Sequence, residues 1–176
     1  MIPRAYTISD EWRGYADRHS TKQAFNSQTI LEDGQGQTTG IMGELAFGRW
    51  MNEKDILFKY VAKQQAHYDF LVDWRKIDVK TKRCSSVPRA NFTAHVTLSQ
   101  SKFDADIYVF ARASERNVWL CGWIKKADFW TTQNADNLRQ GQMADGLIQH
   151  ADARRIQIGF LNPMADLIPE LKANHK

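Results

Sequence analysis

An α/β fold with a mixed central sheet of about five strands, flanked by helices, is what the sequence predicts. Three observations carry the prediction. The first third of the chain has a helical period, two-residue alternation takes over near His67, and Ile107-Tyr108-Val109-Phe110-Ala111 is a continuous apolar run of the kind a strand buried on both faces requires. The 176 residues are 43% hydrophobic, which is enough to close one sizeable core and excludes a disordered or fibrous chain. No internal repeat, low-complexity tract or Pro/Ser-rich linker divides them. The expected organisation is a single domain over 1–176, with helices over about 9–52, the sheet over about 56–124, and a C-terminal helix with edge elements over 125–176.

Taken in order, Ser9 to about Ser27 reads as a helix, with Ser9 as N-cap and Trp12, Tyr15, Ala16 and His19 on one side. The Gly-rich Asp33-Gly34-Gln35-Gly36-Gln37 stretch is a connecting loop, without the lysine of a phosphate-binding loop. Thr39 to about Asn52 is a second helix. On it Glu44 shares a stripe with Phe47 and Met51, so this acid is expected to be partly shielded. His67 to Trp74 and Lys76 to Lys82 read as strands joined by a tight turn. Asn91 to Ser99 alternates, with Phe92, Ala94, Val96 and Leu98 on one face and Thr93, His95 and Thr97 on the other. After the apolar run at Ile107, the polar turn Ser114-Glu115-Arg116-Asn117 leads into a last sheet strand, Val118 to Ile124. Lys125 to about Thr131 starts a short helix, residues 135–146 show no clear period, and Arg155 to Phe160 reads as an edge strand.

The charge balance is 24 basic against 20 acidic residues, a net +4, and its distribution is more informative than its sum. Between Arg75 and Arg89 lie six basic residues (Arg75, Lys76, Lys80, Lys82, Arg83, Arg89) and one acid, Asp78. Such a run is either a solvated face or a surface for nucleic acid. Cys84 and Cys121 are too few for a structural zinc site and read as packing residues. No window approaches the ~18 apolar residues of a membrane span, and Met1-Ile2-Pro3-Arg4 leads into polar Ser9-Asp10-Glu11, so a soluble, cytoplasmic protein is expected.

In Lys76-Ile77-Asp78-Val79-Lys80-Thr81-Lys82 the period of two sets Ile77, Val79 and Thr81 on one face and Asp78 with Lys80 on the other. A turn centred on Trp74 and Arg75 would pair Asp73 with Lys76, Leu71 with Asp78 and Asp69 with Lys80, making Asp69 and Asp78 diagonal neighbours about 7 Å apart. Two carboxylates sharing a divalent cation, with a lysine beside them, suit phosphodiester hydrolysis: hard oxygen ligands hold Mg²⁺, and the ammonium orients the nucleophile or offsets charge. The plain alternative is a cross-strand Asp69–Lys80 salt bridge on a solvated hairpin. For Glu44 it is a first-turn acid favoured by the helix dipole.

The order of these features, helical Glu44, then Tyr68-Asp69, then Asp78-x-Lys80 on the next strand, resembles the PD-(D/E)xK nuclease superfamily with its restriction-endonuclease-like fold. Ala105 to Phe110, Val118 to Ile124, the helix at Phe129-Trp130 and Leu161-Asn162-Pro163-Met164 extend the likeness toward small phage-encoded members, over roughly residues 40 to 165. Tyr68 stands where the motif has proline, and Asp78 where Glu is commoner. The resemblance implies a magnesium-dependent DNA endonuclease, with Mn²⁺ able to substitute, in the host cytoplasm if phage-encoded. Asp69, Asp78 and Glu44 would be its metal ligands and Lys80 its catalytic lysine. Gln100 matches a polar position near the attacking water. DNA is the implied partner, gripped by Arg75, Lys76, Lys82 and Arg83, with Trp74 at the hairpin tip stacking on a base. Little sequence specificity is expected, with selectivity for DNA shape instead, and a symmetric homodimer would present two sites to two strands. A catalytically inactive nucleic-acid-binding module of the same fold, and a module binding a partner protein through the basic hairpin, are the alternatives. His67, His95 and His150 lack the spacing of a metal site and read as solvated or substrate-adjacent.

Overall fold

The computed structural model describes residues 3–23, 35–61, 67–144 and 147–172. A short strand, β1 (Arg4–Thr7), precedes helices α1 (Asp10–Gln23) and α2 (Gln35–Asn52). Strands β2 (Lys59–Tyr60), β3 (Phe70–Val72) and β4 (Arg75–Arg83) follow, then β5 (Thr93–Thr97), β6 (Ile107–Ala113) and β7 (Asn117–Lys125). Helix α3 (Lys126–Thr131), strands β8 (Ala135–Leu138), β9 (Met143–Ala144), β10 (Leu147–Ile148) and β11 (Ala153–Gln157), and helix α4 (Leu167–Lys172) complete the chain. Neither long helix is apolar enough to cross a membrane.

Six strands form a mixed sheet in the order β1-β7-β6-β4-β3-β2, parallel only where β4 meets β6. A parallel neighbour cannot be reached by a tight turn. The chain crosses from β4 to β6 through β5, which belongs to a second, three-stranded sheet ordered β5-β11-β8. Two apolar clusters record the resulting three layers. Ile77, Val79, Ile107, Val109 and Leu120 of the main sheet pack against Met42, Ala46, Phe47 and Trp50 of α2. From the other face Tyr108, Phe110, Trp119 and Cys121 meet Val96, Phe129 and Ile156. Main-sheet strands are therefore covered on both sides, which is why β6 is buried along its whole length.

Two glycines permit close approaches. A Cβ on Gly43 of α2 would lie 1.9 Å from Thr81 Oγ1 of β4, so the helix sits directly on that strand. Gly122 takes φ 143° beside the bulge in the β6–β7 ladder, and a Cβ there would meet Asn162 O at 2.8 Å. This lets Asn162 exchange backbone hydrogen bonds of 3.0 and 2.9 Å with Trp123.

Several expectations need correction. The main sheet has six strands, because β1 and β2 pair at its two edges. The alternating strand at Asn91–Ser99 lies in the second sheet, and Leu98 is exposed in a 3₁₀ turn (Leu98–Lys102). The strand at Arg155 lies between β5 and β8, so it is central in the small sheet and not an edge. Gly36 lies inside α2, while residues 24–34, including Ser27 and Gly34, fall outside the described residues. Cys84 and Cys121 are free, as expected of packing residues, and burial pushes the Cys121 thiol up to about 12.

Candidate active site

The β3–β4 hairpin turns on two residues, Asp73 and Trp74, with Val72 paired to Arg75 and Leu71 to Lys76. Asp73 has φ 52°, a left-handed conformation that aspartate tolerates better than most residues. The turn lies one residue earlier than the spacing suggested, so the register shifts by two and keeps its parity. Asp69 consequently does not face Lys80. The last regular pair is Phe70–Ile77, and just beyond it the Asp69 N–H donates to Ile77 O at 2.9 Å. The Asp69 carboxylate then replaces a backbone carbonyl: its Oδ2 accepts the Val79 N–H at 2.7 Å. Asp69 is thereby fixed beside the peptide that follows Asp78.

Asp78 and Lys80 share a face of β4, as the alternation required, and the Lys80 ammonium lies 2.6 Å from Asp78 Oδ2. That oxygen is buried and accepts no hydrogen bond of good geometry among the described residues, so the ion pair is its principal interaction. Asp69 is 1% exposed and Asp78 4%. Carboxylates this deeply buried require charged or hydrogen-bonded partners. Tyr108, opposite Asp78 in the parallel β4–β6 ladder, has its hydroxyl pushed up to about 12 by burial, with the Asp78 charge adding to the effect.

Glu44 is buried more completely than its stripe implied, at 2% exposure. Its Oε2 accepts the Tyr60 hydroxyl at 2.6 Å. Burial raises the Tyr60 pKa most, followed by the Glu44 charge and hydrogen bond and then by the charge of Asp69, so these groups share one neighbourhood. Glu44 nevertheless lines a cavity of about 350 Å³ on the helix side with Trp12, Tyr15 and Phe58. Lys80 lines a different cleft, of about 180 Å³, where β4 faces β5. Gln100 and His95 line that second cleft together with Lys82. His67 is instead exposed and stacked on Phe103 at 4.2 Å, and His150 is exposed.

Among the described residues, no three His, Cys, Asp or Glu side chains converge to cage an ion. The donor set fits a divalent ion only in its open form. Mg²⁺ commonly takes one or two carboxylates and completes its shell with water and substrate phosphate. Asp69 and Asp78 supply two such carboxylates, with one oxygen of Asp69 held by the Val79 N–H and one of Asp78 held by the Lys80 ammonium, which an ion there would have to displace.

The basic hairpin divides into two halves. Arg75 pairs with Glu170 of α4 at 3.1 Å and stacks over Trp74 at 4.1 Å. Lys76 pairs with Asp104 at 2.6 Å, and that hydrogen bond raises its pKa. Both are thus committed to acids of the same chain. Trp74 stays 53% exposed at the tip. Lys82 and Arg83 point to the other end of β4 and line clefts there.

Sequence reasoning missed two residues. Tyr60, on a two-residue strand, gave no periodic signal. Arg112 is 2% exposed and donates to Arg83 O at 3.3 Å and to Thr93 O, tying β4 and β6 to β5. A single cation ending an apolar strand was the available sign of a buried clamp. No known protein family, curated protein or solved structure matches this chain.

Proposed function

We propose that the protein is a divalent-metal-dependent DNA endonuclease of the restriction-endonuclease-like kind, acting at Asp69, Asp78 and Lys80. The observation that supports it most is the Asp69 carboxylate bonded to the Val79 N–H while Lys80 holds the adjacent Asp78 at 2.6 Å. Two acids and one ammonium then meet across the β3–β4 hairpin, and the lysine lines an open cleft. Asp69 and Asp78 would hold the ion, which when bound supplies charge neutralisation at phosphorus and a polarised water. Lys80, 2.6 Å from Asp78, would orient the attacking water and offset the charge developing on the phosphoryl oxygens. Gln100 and His95 line the same cleft and would contact the scissile strand. Glu44 serves as an auxiliary acid, oriented by Tyr60.

Incubating the protein with supercoiled, linear, single-stranded and branched DNA in Mg²⁺ and in Mn²⁺ tests the proposal. Nicked or shortened products are expected in both metals, and intact substrates in all eight reactions would refute it. Asp78→Asn should abolish cleavage while leaving most DNA affinity, and Lys80→Ala should cost ~10²-fold or more. Ca²⁺ should permit binding without cleavage, so comparable hydrolysis in Ca²⁺ and Mg²⁺ would point to another site. A second reading, a binding module of the same fold without catalysis, is favoured by the near-complete burial of both acids and their closure onto Val79 and Lys80. It predicts DNA binding with no product in either metal.

A further inference from the structure

Glu44 borders a space of its own. The cavity of about 350 Å³ on the helix side of the main sheet falls within the size range of small-molecule sites. Aromatic rings wall it from three separate segments: Trp12 and Tyr15 from α1, Tyr60 from β2 with Phe58 just before it, and Phe70 from β3. The Phe70 wall is held in place by its neighbours, with Phe58 edge-on at 5.5 Å and Tyr60 tilted against it at 5.3 Å. Helix α2 adds Glu44 and Gly48. The Tyr60 hydroxyl donates to Glu44 Oε2 at 2.6 Å and so fixes the carboxylate among these rings.

An aromatic-walled space with a buried carboxylate suits an organic cation or a planar ring that carries N–H donors. Arg49 favours the second. Its guanidinium lies over the Trp12 ring at 5.9 Å while its Nε donates to Glu53 at 3.2 Å, so a cation of the chain already occupies this wall. A neutral ring has no such competitor. An ionised carboxylate offers about four acceptor sites, so Glu44 can take an N–H donor in addition to the partners it has within the chain. Guanine presents two adjacent N–H donors on one edge of a planar ring, the paired pattern that a carboxylate accepts. We propose that this cavity binds a free guanine nucleoside, its ring among Trp12, Tyr15, Phe58 and Tyr60 and its N–H edge on Glu44. The cleft of Lys80 opens where β4 faces β5, on the other side of the main sheet, so a strand held there does not bring its base to Glu44. The inference goes beyond the nuclease reading and does not rest on it.

Isothermal titration calorimetry of the full chain in EDTA, with guanosine as the probe, tests this apart from cleavage. Guanosine should bind with a Kd on the order of 0.1 mM. N1-methylguanosine, which lacks one of the paired donors, should bind ~10-fold or more weakly, and Glu44→Gln, which keeps an acceptor for Tyr60, should lose a similar factor for guanosine. Gly48→Leu should abolish binding, because a Cβ there already lies in ordinary contact with Phe70 at 3.6 Å and Phe58 at 3.8 Å and the longer side chain then fills the cavity. Thermal unfolding checks that both variants are folded, and should Gly48→Leu fail to fold, Glu44→Gln and N1-methylguanosine decide the matter. No binding of guanosine, equal affinity for N1-methylguanosine, or an unchanged affinity in Glu44→Gln would overturn the proposal. So would tetramethylammonium binding more tightly than guanosine, which would make the cavity a cation cage. Displacement of guanosine by an oligothymidylate with one central guanine, but not by oligothymidylate alone, would overturn the free nucleoside and assign the cavity to a DNA base. Guanosine binding with the expected pattern in a chain that never cleaves DNA in Mg²⁺ or Mn²⁺ would sustain the cavity and refute the nuclease reading instead.

Discussion

At Gly43 the helix touches the strand that bears the candidate site, and one methyl group measures how closely. A Cβ there would fall 1.9 Å from Thr81 Oγ1 and 3.0 Å from Thr81 Cβ. Alanine is a better helix former than glycine by about 1 kcal/mol, yet overpacking of this severity costs about 1–3 kcal/mol and more than cancels the gain. Gly43→Ala should therefore lower the unfolding midpoint by several degrees. Thr81→Ala removes the nearest atoms, so the double variant should recover part of the loss by the coupling that contacting residues show. A Gly43→Ala midpoint at or above the parent value would place α2 further from β4. This close approach was invisible in the sequence, because helical period does not say how near a helix sits to the strand beneath it. Asp78 and Lys80 were legible because alternation alone puts them on one face. Asp69 was legible as a neighbour but not as a ligand of Val79 N–H, because that depends on where the turn falls.

Among the secondary elements, the least anticipated is the small sheet. Alternation identified β5 as a strand but carries no information about which sheet a strand joins, since cross-strand partners are set by tertiary packing and not by period. β8 was illegible for a related reason: its Ala135-Asp136-Asn137-Leu138 has low strand propensity and depends on β11 for its place. Asp136 grips Arg155 of β11 with two hydrogen bonds of 2.8 and 3.0 Å, and these hold its carboxyl below the usual aspartate value. A depressed folded-state pKa contributes stability that is complete above the unfolded value, about 4, and fades as pH falls through the folded one. Hydrogen exchange at β8 should consequently be protected at pH 5 and loosen in stronger acid, with the effect small because the pair is largely exposed. Asp136→Asn should show the looser exchange already at pH 5. Equal protection in parent and variant would mean that backbone pairing alone holds β8.

On the scale of the whole molecule, helices cover one face of the main sheet and a second sheet covers the other, and Lys80 lies in the gap between the two sheets. Helices before and after a mixed sheet were legible from the change of period. The second layer was not, because β5 was read as a strand of the same sheet as β4 and β6. This architecture bears on what the protein recognises. Base edges are read by a helix or a two-stranded ribbon that fits the major groove. Of the described helices, α1 packs on α2, while α3 and α4 are six residues each and bury Phe129 and Leu167 with Leu171. The β9–β10 ribbon projects Met143 and Ile148, 61% and 59% exposed, and neither carries the amide or guanidinium that reads a base. Contacts to phosphate carry no sequence information. Cut sites on a long random duplex should therefore show no single recurring sequence, and branched or single-stranded DNA should be preferred, with exposed Trp74 available to stack on an unpaired base. Trp74→Ala should then reduce the preference for such structures by severalfold while sparing duplex cleavage. Sequencing of product ends decides the first point: one shared motif at the termini would show that the β9–β10 ribbon enters a groove, and its removal would then have to erase the motif.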